Sequence, residues 1–296
     1  MGSAHWKGLL GALAGLGVSA CGESAESTPG VSMVGSGVSG ASGAGGSSAG
    51  SGGSAGSGGS AGVCPGPAPA GPKASGRLDV PLNLTVNGAK LVIGEAAATR
   101  AGSELRLSLF KFFLTEPKLL TPGGAEVAAE LVGDTGVPLP YGLSLADAED
   151  ESTQLLRLAA PPGTYEGLRI SVGVPEPCNG GDPTTHVHPL NADGDMWWTW
   201  GNQYMFIRVE GNRRALGAQE WDDFFYHVGF QPAFVTVTLS AALSVGAAPT
   251  TAGVKLVLDA DRLIEPRTGS SPTGKHDTIE GWIIDNIDDN QVFSLR

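Results

Sequence analysis

Three of the five histidines and four of the six tryptophans fall between His186 and His227, in His186-Val-His188, Met196-Trp-Trp-Thr-Trp200, Trp221 and Phe224-Phe-Tyr-His227. Neutral imidazole ligates zinc, copper, nickel and iron, so a group of histidines is first a candidate metal site. If His186 to His188 is extended, alternation aims both rings to one side, where they can approach a single ion. Pro189 then ends that segment in a turn. An extended Met196–Trp200 places Met196, Trp198 and Trp200 on one face, with Trp197 and Thr199 on the other. In the later segment Phe225 and His227 share a face, opposite Phe224 and Tyr226. Taken singly, the aromatics also suit ordinary core packing, and His227 suits a hydrogen-bonded, half-buried position.

Other chemistries find less support. There is no His-Glu-x-x-His and no third ligand at a recognisable spacing, so a zinc hydrolase is disfavoured and a non-enzymatic role is expected. The Gly52-Gly-Ser-Ala-Gly56 match to a nucleophile elbow lies in sequence that cannot form a strand-to-helix turn. Asp285-Asn-Ile-Asp-Asp-Asn290 is rich in oxygen ligands but lacks the glycine and distal glutamate of a calcium loop.

The elements that must position the cluster read as strands. Leu78 to Val86 alternates, and Asn87-Gly88 signals a tight turn into 89–94, which predicts a hairpin. Leu105, Leu107 and Leu109 fall on one face of a strand from Leu105 to Leu114, and a turn follows Leu119 and Leu120. Further strands are expected at 155–159, 167–174, 204–209, 225–230, 233–243 and 254–258, with Gly and Pro clusters between them. Many short strands at this spacing predict an all-β, antiparallel β-sandwich or barrel-like domain. A short helix over 277–287 is expected near the C-terminus.

The N-terminal quarter carries different information. Lys7, an apolar run from Gly8 to Val18 too short to span a bilayer, and Val18-Ser-Ala-Cys21 read as a lipoprotein signal over residues 1–20, with Cys21 acylated. Residues 21–74 are Gly, Ser and Ala with almost no large apolar side chain, which predicts a flexible linker to a domain over 75–296. The mature chain is then expected in the cell envelope, tethered by lipid to the outer membrane and either periplasmic or surface-exposed. With Cys21 acylated, Cys64 and Cys178 remain as a pair; a disulfide is the default in an oxidising compartment, and a soft-metal thiol pair is the alternative. A net charge of −12 without a basic stripe argues against a nucleic-acid partner.

The ordered motifs also carry a resemblance. Leu105 to Leu120 with its Gly turn, Gly163-Thr-Tyr-Glu-Gly-Leu-Arg-Ile-Ser-Val-Gly-Val-Pro175, His188-Pro-Leu-Asn, Met196-Trp-Trp-Thr-Trp200, Tyr204-Met-Phe and Phe225-Tyr-His-Val-Gly229 together resemble the MbnP family of exported proteins associated with methanobactin and copper. The similarity runs over most of the domain, from about Leu78 to Leu295. It implies copper binding, with a MauG-like di-haem peroxidase as the partner that oxidises a tryptophan to kynurenine. An intact indole has only an N–H donor, whereas the opened ring offers an aryl amine and a ketone. His227 is the matching ligand position, and Trp198 or Trp200 the candidate for oxidation. Where many members read Leu-Asn-His, this chain has Cys178-Asn179-Gly180, so His186 or His188 is expected to supply the second imidazole.

The sequence therefore supports an envelope lipoprotein that binds copper through His227, His186 or His188 and an oxidised tryptophan. The alternative is a β-sandwich surface module that binds glycans or protein partners through exposed aromatics, without metal.

Overall fold

Alternation is strictest in the first strand of the domain, β1 (Gly76–Val86), where Leu78, Val80, Leu82 and Leu84 turn inward and the residues between them stand half out. The computed structural model describes residues 64–66, 76–265, 276–288 and 292–296. The expected signal segment, the acylation site Cys21 and the linker other than Cys64–Gly66 lie outside the described residues. No helix among the described residues is long and apolar enough to cross a membrane. After β1, Asn87 and Gly88, both at positive φ, turn the chain into the two-residue strand Ala89–Lys90 and complete the expected hairpin.

The remaining main strands are β2 (Ser103–Leu120), β3 (Leu143–Asp147), β4 (Leu155–Ala160), β5 (Gly163–Val172), β6 (Trp197–Trp198), β7 (Gln203–Ala215), β8 (Asp222–Gly229), β9 (Val235–Val245), β10 (Leu256–Asp259) and β11 (Phe293–Leu295). One sheet runs β11-β10-β1-β4 and ends on the short strand Glu130–Leu131. The other runs β6-β7-β2-β5-β9, with β8 added on β7 and β3 on β2. Pairing is antiparallel except where β1 lies parallel to β10 and to Pro249–Thr251. The expected all-β sandwich is thus the observed architecture. Its core joins Leu78, Val80 and Leu158 of one sheet to Phe110, Leu119 and Leu168 of the other. Phe112 of β2 meets Phe293 of β11 edge-on across the interior, ring centres 6.4 Å apart.

Strand β2 departs from simple alternation in two places. The register against β7 shifts between Glu210 and Gly211, which pair with Leu109 and Leu107 and leave Ser108 as the extra residue. Leu105 and Leu107 are buried as expected, but beyond this bulge Phe110 takes the inner face and Leu109 turns partly outward. Gly211 is required here, because a Cβ at that position would lie 2.3 Å from the carbonyl oxygen of Arg106. A second break falls at Glu116, held at a φ of 49°, with a register shift between Thr115 and Lys118. The strand runs on through this break to Leu120, where the strand end and turn are expected.

Two helices close one side, α1 (Ala260–Ile264) and α2 (His276–Asp288), the latter within a residue of the expected span at each end. Trp282, Ile283 and Ile287 of α2 are buried, and Asn286 donates to the carbonyl oxygen of Leu263 at the end of α1. Cys178 sits in a single 3-10 turn, Glu176–Cys178, and is bonded to Cys64, so the soft-metal reading of this thiol pair does not apply. The bond closes a loop of 114 residues. Loop-closure entropy for a loop of this length predicts that Cys64→Ser with Cys178→Ser lowers stability by about 4–5 kcal/mol. Denaturant midpoints of the oxidised parent and the double variant measure this, and equal midpoints refute it.

Candidate metal centre

His227 belongs to β8, where Phe224, Tyr226 and Val228 point into the core while Phe225 and His227 occupy the outer face. Phe225 is 61% exposed and His227 is half-buried, as the alternation predicts. Across the ladder His227 pairs with Arg208 of β7, and Glu210 lies two residues further along the same face. His227 Nε2 lies 2.8 Å from Glu210 Oε1, and Arg208 Nε donates to the same oxygen at 2.7 Å. The guanidinium of Arg208 also reaches back to Asp195, donating to its carbonyl oxygen at 2.8 Å and to its carboxylate. Asp195 immediately precedes Met196, so one chain of charge-assisted bonds ties the tryptophan segment to His227.

Glu210 is subject to opposing influences. Burial pushes its carboxyl upward, but hydrogen bonds from His227 and Arg208 and the charge of the guanidinium outweigh burial and hold it below its ordinary value. An ionised Glu210 accepts from the Nε2–H tautomer of His227, which leaves the lone pair on Nδ1. Ligating histidines commonly have this arrangement, with a carboxylate behind one ring nitrogen and a free lone pair on the other.

Beside His227 lies the tryptophan pair. The extended part of Met196–Trp200 is only β6, with Trp197 opposite Tyr204 and Trp198 opposite Gln203; Trp198 then accepts from the Asn202 N–H in a turn. Because the chain turns there, Trp200 does not follow Met196 and Trp198 into the interior. It is 69% exposed, whereas Trp198 is 6% exposed. The two indoles nevertheless touch, with centres 5.3 Å apart, and Phe230 packs on Trp198 at 5.0 Å. Trp198 lies directly over Gly229, where a Cβ would come within 2.5 Å of its ring. Gly229 and His227 are two apart on β8, so the residue that Trp198 covers lies on the same face as His227, about 7 Å along the strand.

The His186-x-His188 pair behaves differently. The segment follows a 3-10 turn over Pro183–Thr185 and is not a strand. His186 Nδ1 lies 2.6 Å from the Tyr204 hydroxyl, which in turn donates to the carbonyl oxygen of Leu190. Burial, with Tyr141 and Asp182 nearby, pushes the Tyr204 hydroxyl above its ordinary range, so it stays protonated and accepts the Nδ1–H of His186. Tyr141 and Tyr204 flank the imidazole, and Trp197 packs on Tyr204 at 4.7 Å. His186 therefore sits with Trp197, on the opposite side of β6 from Trp198. His188 is exposed and lines a separate cleft with Pro189 and Leu131.

The structure thus sets the Trp198 ring, with Trp200 against it, over Gly229, two residues along β8 from His227, and places His186 against Tyr204 and His188 in a separate cleft. Among the described residues no three His, Cys, Asp or Glu side chains gather closely enough to hold a metal ion. The turn standing where many MbnP members have a histidine gives no lone-pair nitrogen. Cys178 is in the disulfide, and Asn179 accepts from the Tyr204 N–H and keeps its other amide atom, Nδ2, buried and unpaired. On the outer face His227 is the one imidazole among the described residues, and intact indoles add no donor to it. Glu210, Arg208 and Asp195 were not singled out from sequence, although the Arg208-Val-Glu210 alternation opposite Phe225-Tyr-His227 carries the necessary signal.

A family model described as MbnP matches residues 75–278. Among solved structures, MbnP from Methylosinus trichosporium is similar, with 17% identity, coverage of 68% of this chain and 82% of that one, and a TM-score of 0.46. No curated protein matches the chain.

Two outcomes test this geometry. Gly229→Ala forces Trp198 off the strand and should cost about 1–3 kcal/mol with a change in tryptophan emission; an unchanged spectrum and stability would show that the indole does not rest there. Glu210, with its folded pKa below the ordinary 4.5, contributes stability that is complete above that value and is lost as pH falls through the folded value. Glu210→Gln should therefore be less stable than the parent at neutral pH, and the gap should close in acid. A gap that is constant or widens toward acid pH contradicts the assignment.

Proposed function

The chain belongs to the MbnP family, a family with a copper-related role, and we propose that it is an exported copper-binding lipoprotein and not an enzyme. Its copper position in this reading lies on the outer face of β8, at His227. The observation that carries it is the Glu210-backed imidazole beside the Trp198 and Trp200 pair. His227 presents Nδ1, Glu210 fixes the tautomer, and Arg208 holds Glu210 and the tryptophan segment in one register through Asp195.

The missing donors are proposed to come from tryptophan chemistry. Oxidation of Trp200 or Trp198 to kynurenine by a partner di-haem peroxidase of the MauG type would put an aryl amine and a ketone where the indole now offers only N–H. Exposure favours Trp200 as the residue that an external enzyme reaches, and stacking keeps its product against Trp198. Imidazole with a weak nitrogen donor suits copper in either of its common states. His186, whose Nε2 lone pair is left free by the Tyr204 bond, and the exposed His188 lie outside this arrangement and are assigned no share in it. Acylation of Cys21 and a linker over residues 21–74 would hold the domain near an envelope membrane within reach of the partner.

Exposure of Trp200 and Phe225 on one face also favours the second reading, an aromatic surface that binds glycans or protein partners without metal. One experiment separates the two readings. Protein co-expressed with its haem peroxidase should bind copper, show the tryptophan-to-kynurenine mass change on the Met196–Trp200 peptide, and lose at least ten-fold in copper affinity on His227→Ala, with His188→Ala as the unaffected control. Glycan or partner binding that survives both a copper chelator and His227→Ala, with no copper bound and no mass change, would sink the copper assignment.

A further inference from the structure

A cleft of about 420 Å³ lies where β7 ends, β8 begins and the chain leaves α1. Arg213 and Arg214 of β7, Asp222 of β8 and Glu265 after α1 face it, while Ala101, Ser103 and Ala215 keep its walls low.

The charges around this cleft are unequally committed. Arg214 is occupied: its Nε donates to Glu104 at 2.6 Å, and its guanidinium lies 4.3 Å from the centre of the Trp221 ring. The charged ends of Arg213, Asp222 and Glu265 make no hydrogen bond or ion pair among the described residues. The side-chain nitrogens of Arg213 and the carboxylate oxygens of Glu265 are open to solvent, since neither residue holds a buried unpaired atom. Arg213 and Asp222 stand directly opposite each other on the β7–β8 ladder, a placement that sets Cα atoms about 4.5–5.5 Å apart. Opposite charges so placed usually contribute about 0.2–1 kcal/mol by pairing, yet these two stay apart. Glu265 lies within the field of Arg100, but that guanidinium is already bonded to Asp259 and Asp261.

With Arg214 neutralised by Glu104, the cleft presents one free guanidinium against two free carboxylates. We propose that it binds a basic α-amino acid of the lysine class: the α-carboxylate accepts from Arg213, the α-ammonium donates to Asp222, and the side-chain ammonium donates to Glu265. The two α-groups share one carbon, as Arg213 and Asp222 share one rung of the ladder, and the third charge is met from the α1 side. Planar guanidinium matches planar carboxylate, and bonds between charged groups are the stronger ones. A neutral amino acid leaves Glu265 unmatched, and a diamine leaves Arg213 unmatched. The volume falls within the roughly 300–1,000 Å³ of small-molecule sites, and a net charge of −12 draws cationic ligands to the chain. His227, Trp198 and Trp200 do not line the cleft, so the proposal is independent of copper.

The test is calorimetric titration of the full chain, with a copper chelator present, by L-lysine, by L-norleucine, which lacks the side-chain ammonium, and by cadaverine, which lacks the carboxylate. Lysine should bind at least ten-fold more tightly than either, and amide shifts of the labelled parent should centre on Arg213, Asp222 and Glu265. Arg213→Gln should bring lysine down to the level of cadaverine, and Glu265→Gln to that of norleucine. Both substitutions replace solvent-reached side chains, and the parent's own shifts locate the site without any variant. Absence of lysine binding, shifts centred elsewhere, or a lysine preference that survives both substitutions overturns the assignment. Cadaverine binding as tightly as lysine overturns it too, because that result reports only attraction of a cation to an acidic chain.

Discussion

An eighteen-residue strand cannot keep one neighbour along its whole length and still follow the twist of a sandwich, and β2 is such a strand. It solves this by changing partners. Ser103 to Phe112 pairs with β7, Lys111 to Thr115 with β3, and Leu114 to Leu120 with β5. Two local breaks interrupt these stretches, an extra residue at Ser108 within the part paired to β7 and a left-handed residue at Glu116 within the part paired to β5. Those breaks are possible only because the opposing chain gives way. Gly211 lets β7 close to within van der Waals contact of the Arg106 carbonyl, where any side chain would collide.

The candidate site lies one residue from that constraint. Glu210 precedes Gly211, so the bulge that bends β2 also fixes where the Glu210 carboxylate emerges on the outer face. From there Glu210 meets His227 across the ladder and Arg208 along its own strand, and Arg208 reaches Asp195. Packing and electrostatics act together: Gly229 admits the Trp198 ring, and the Asp195-Arg208-Glu210 chain holds the segment that carries it. The Glu210 bonds to Arg208 and His227 are largely screened from water, which makes them worth more than exposed ion pairs such as Lys90 with Glu151, whereas Asp195 at the end of the chain is exposed.

Much of this was legible from residue pattern because period two is enforced wherever one face is buried. The alternation of β1, and the division of β8 into Phe224 and Tyr226 inside against Phe225 and His227 outside, follow from it directly. The phase change at Leu109 was not legible, because its cause is a glycine about a hundred residues away on another strand. The tilted contact of Trp200 with Trp198 appears in the structure for a different reason than strand alternation. A turn after β6 returns the exposed ring to the buried one. The His186-x-His188 spacing misleads because periodicity applies only to strands. These residues follow a 3-10 turn, and Tyr204 and Tyr141 claim one ring while the other faces a cleft.

The division of the aromatic dipeptide Trp197-Trp198 across the two faces of β6 limits what a metal site can contain. His186 is bound to Tyr204, which packs on Trp197; His227 shares its face with Trp198. Joining the two imidazoles around one ion would mean breaking the His186–Tyr204 bond, exposing a tyrosine hydroxyl whose only other partner is the Leu190 carbonyl, and carrying the ring past the edge of the sheet. Each of those steps has a cost, since a buried polar group left without its partner loses about 1–3 kcal/mol. A donor supplied by Trp200 needs no such rearrangement, because that ring already lies on the outer face, exposed to solvent and in contact with Trp198. Under the proposed reading, a second ligand from the exposed Trp200 therefore leaves the half-buried His186 and its bond to Tyr204 in place.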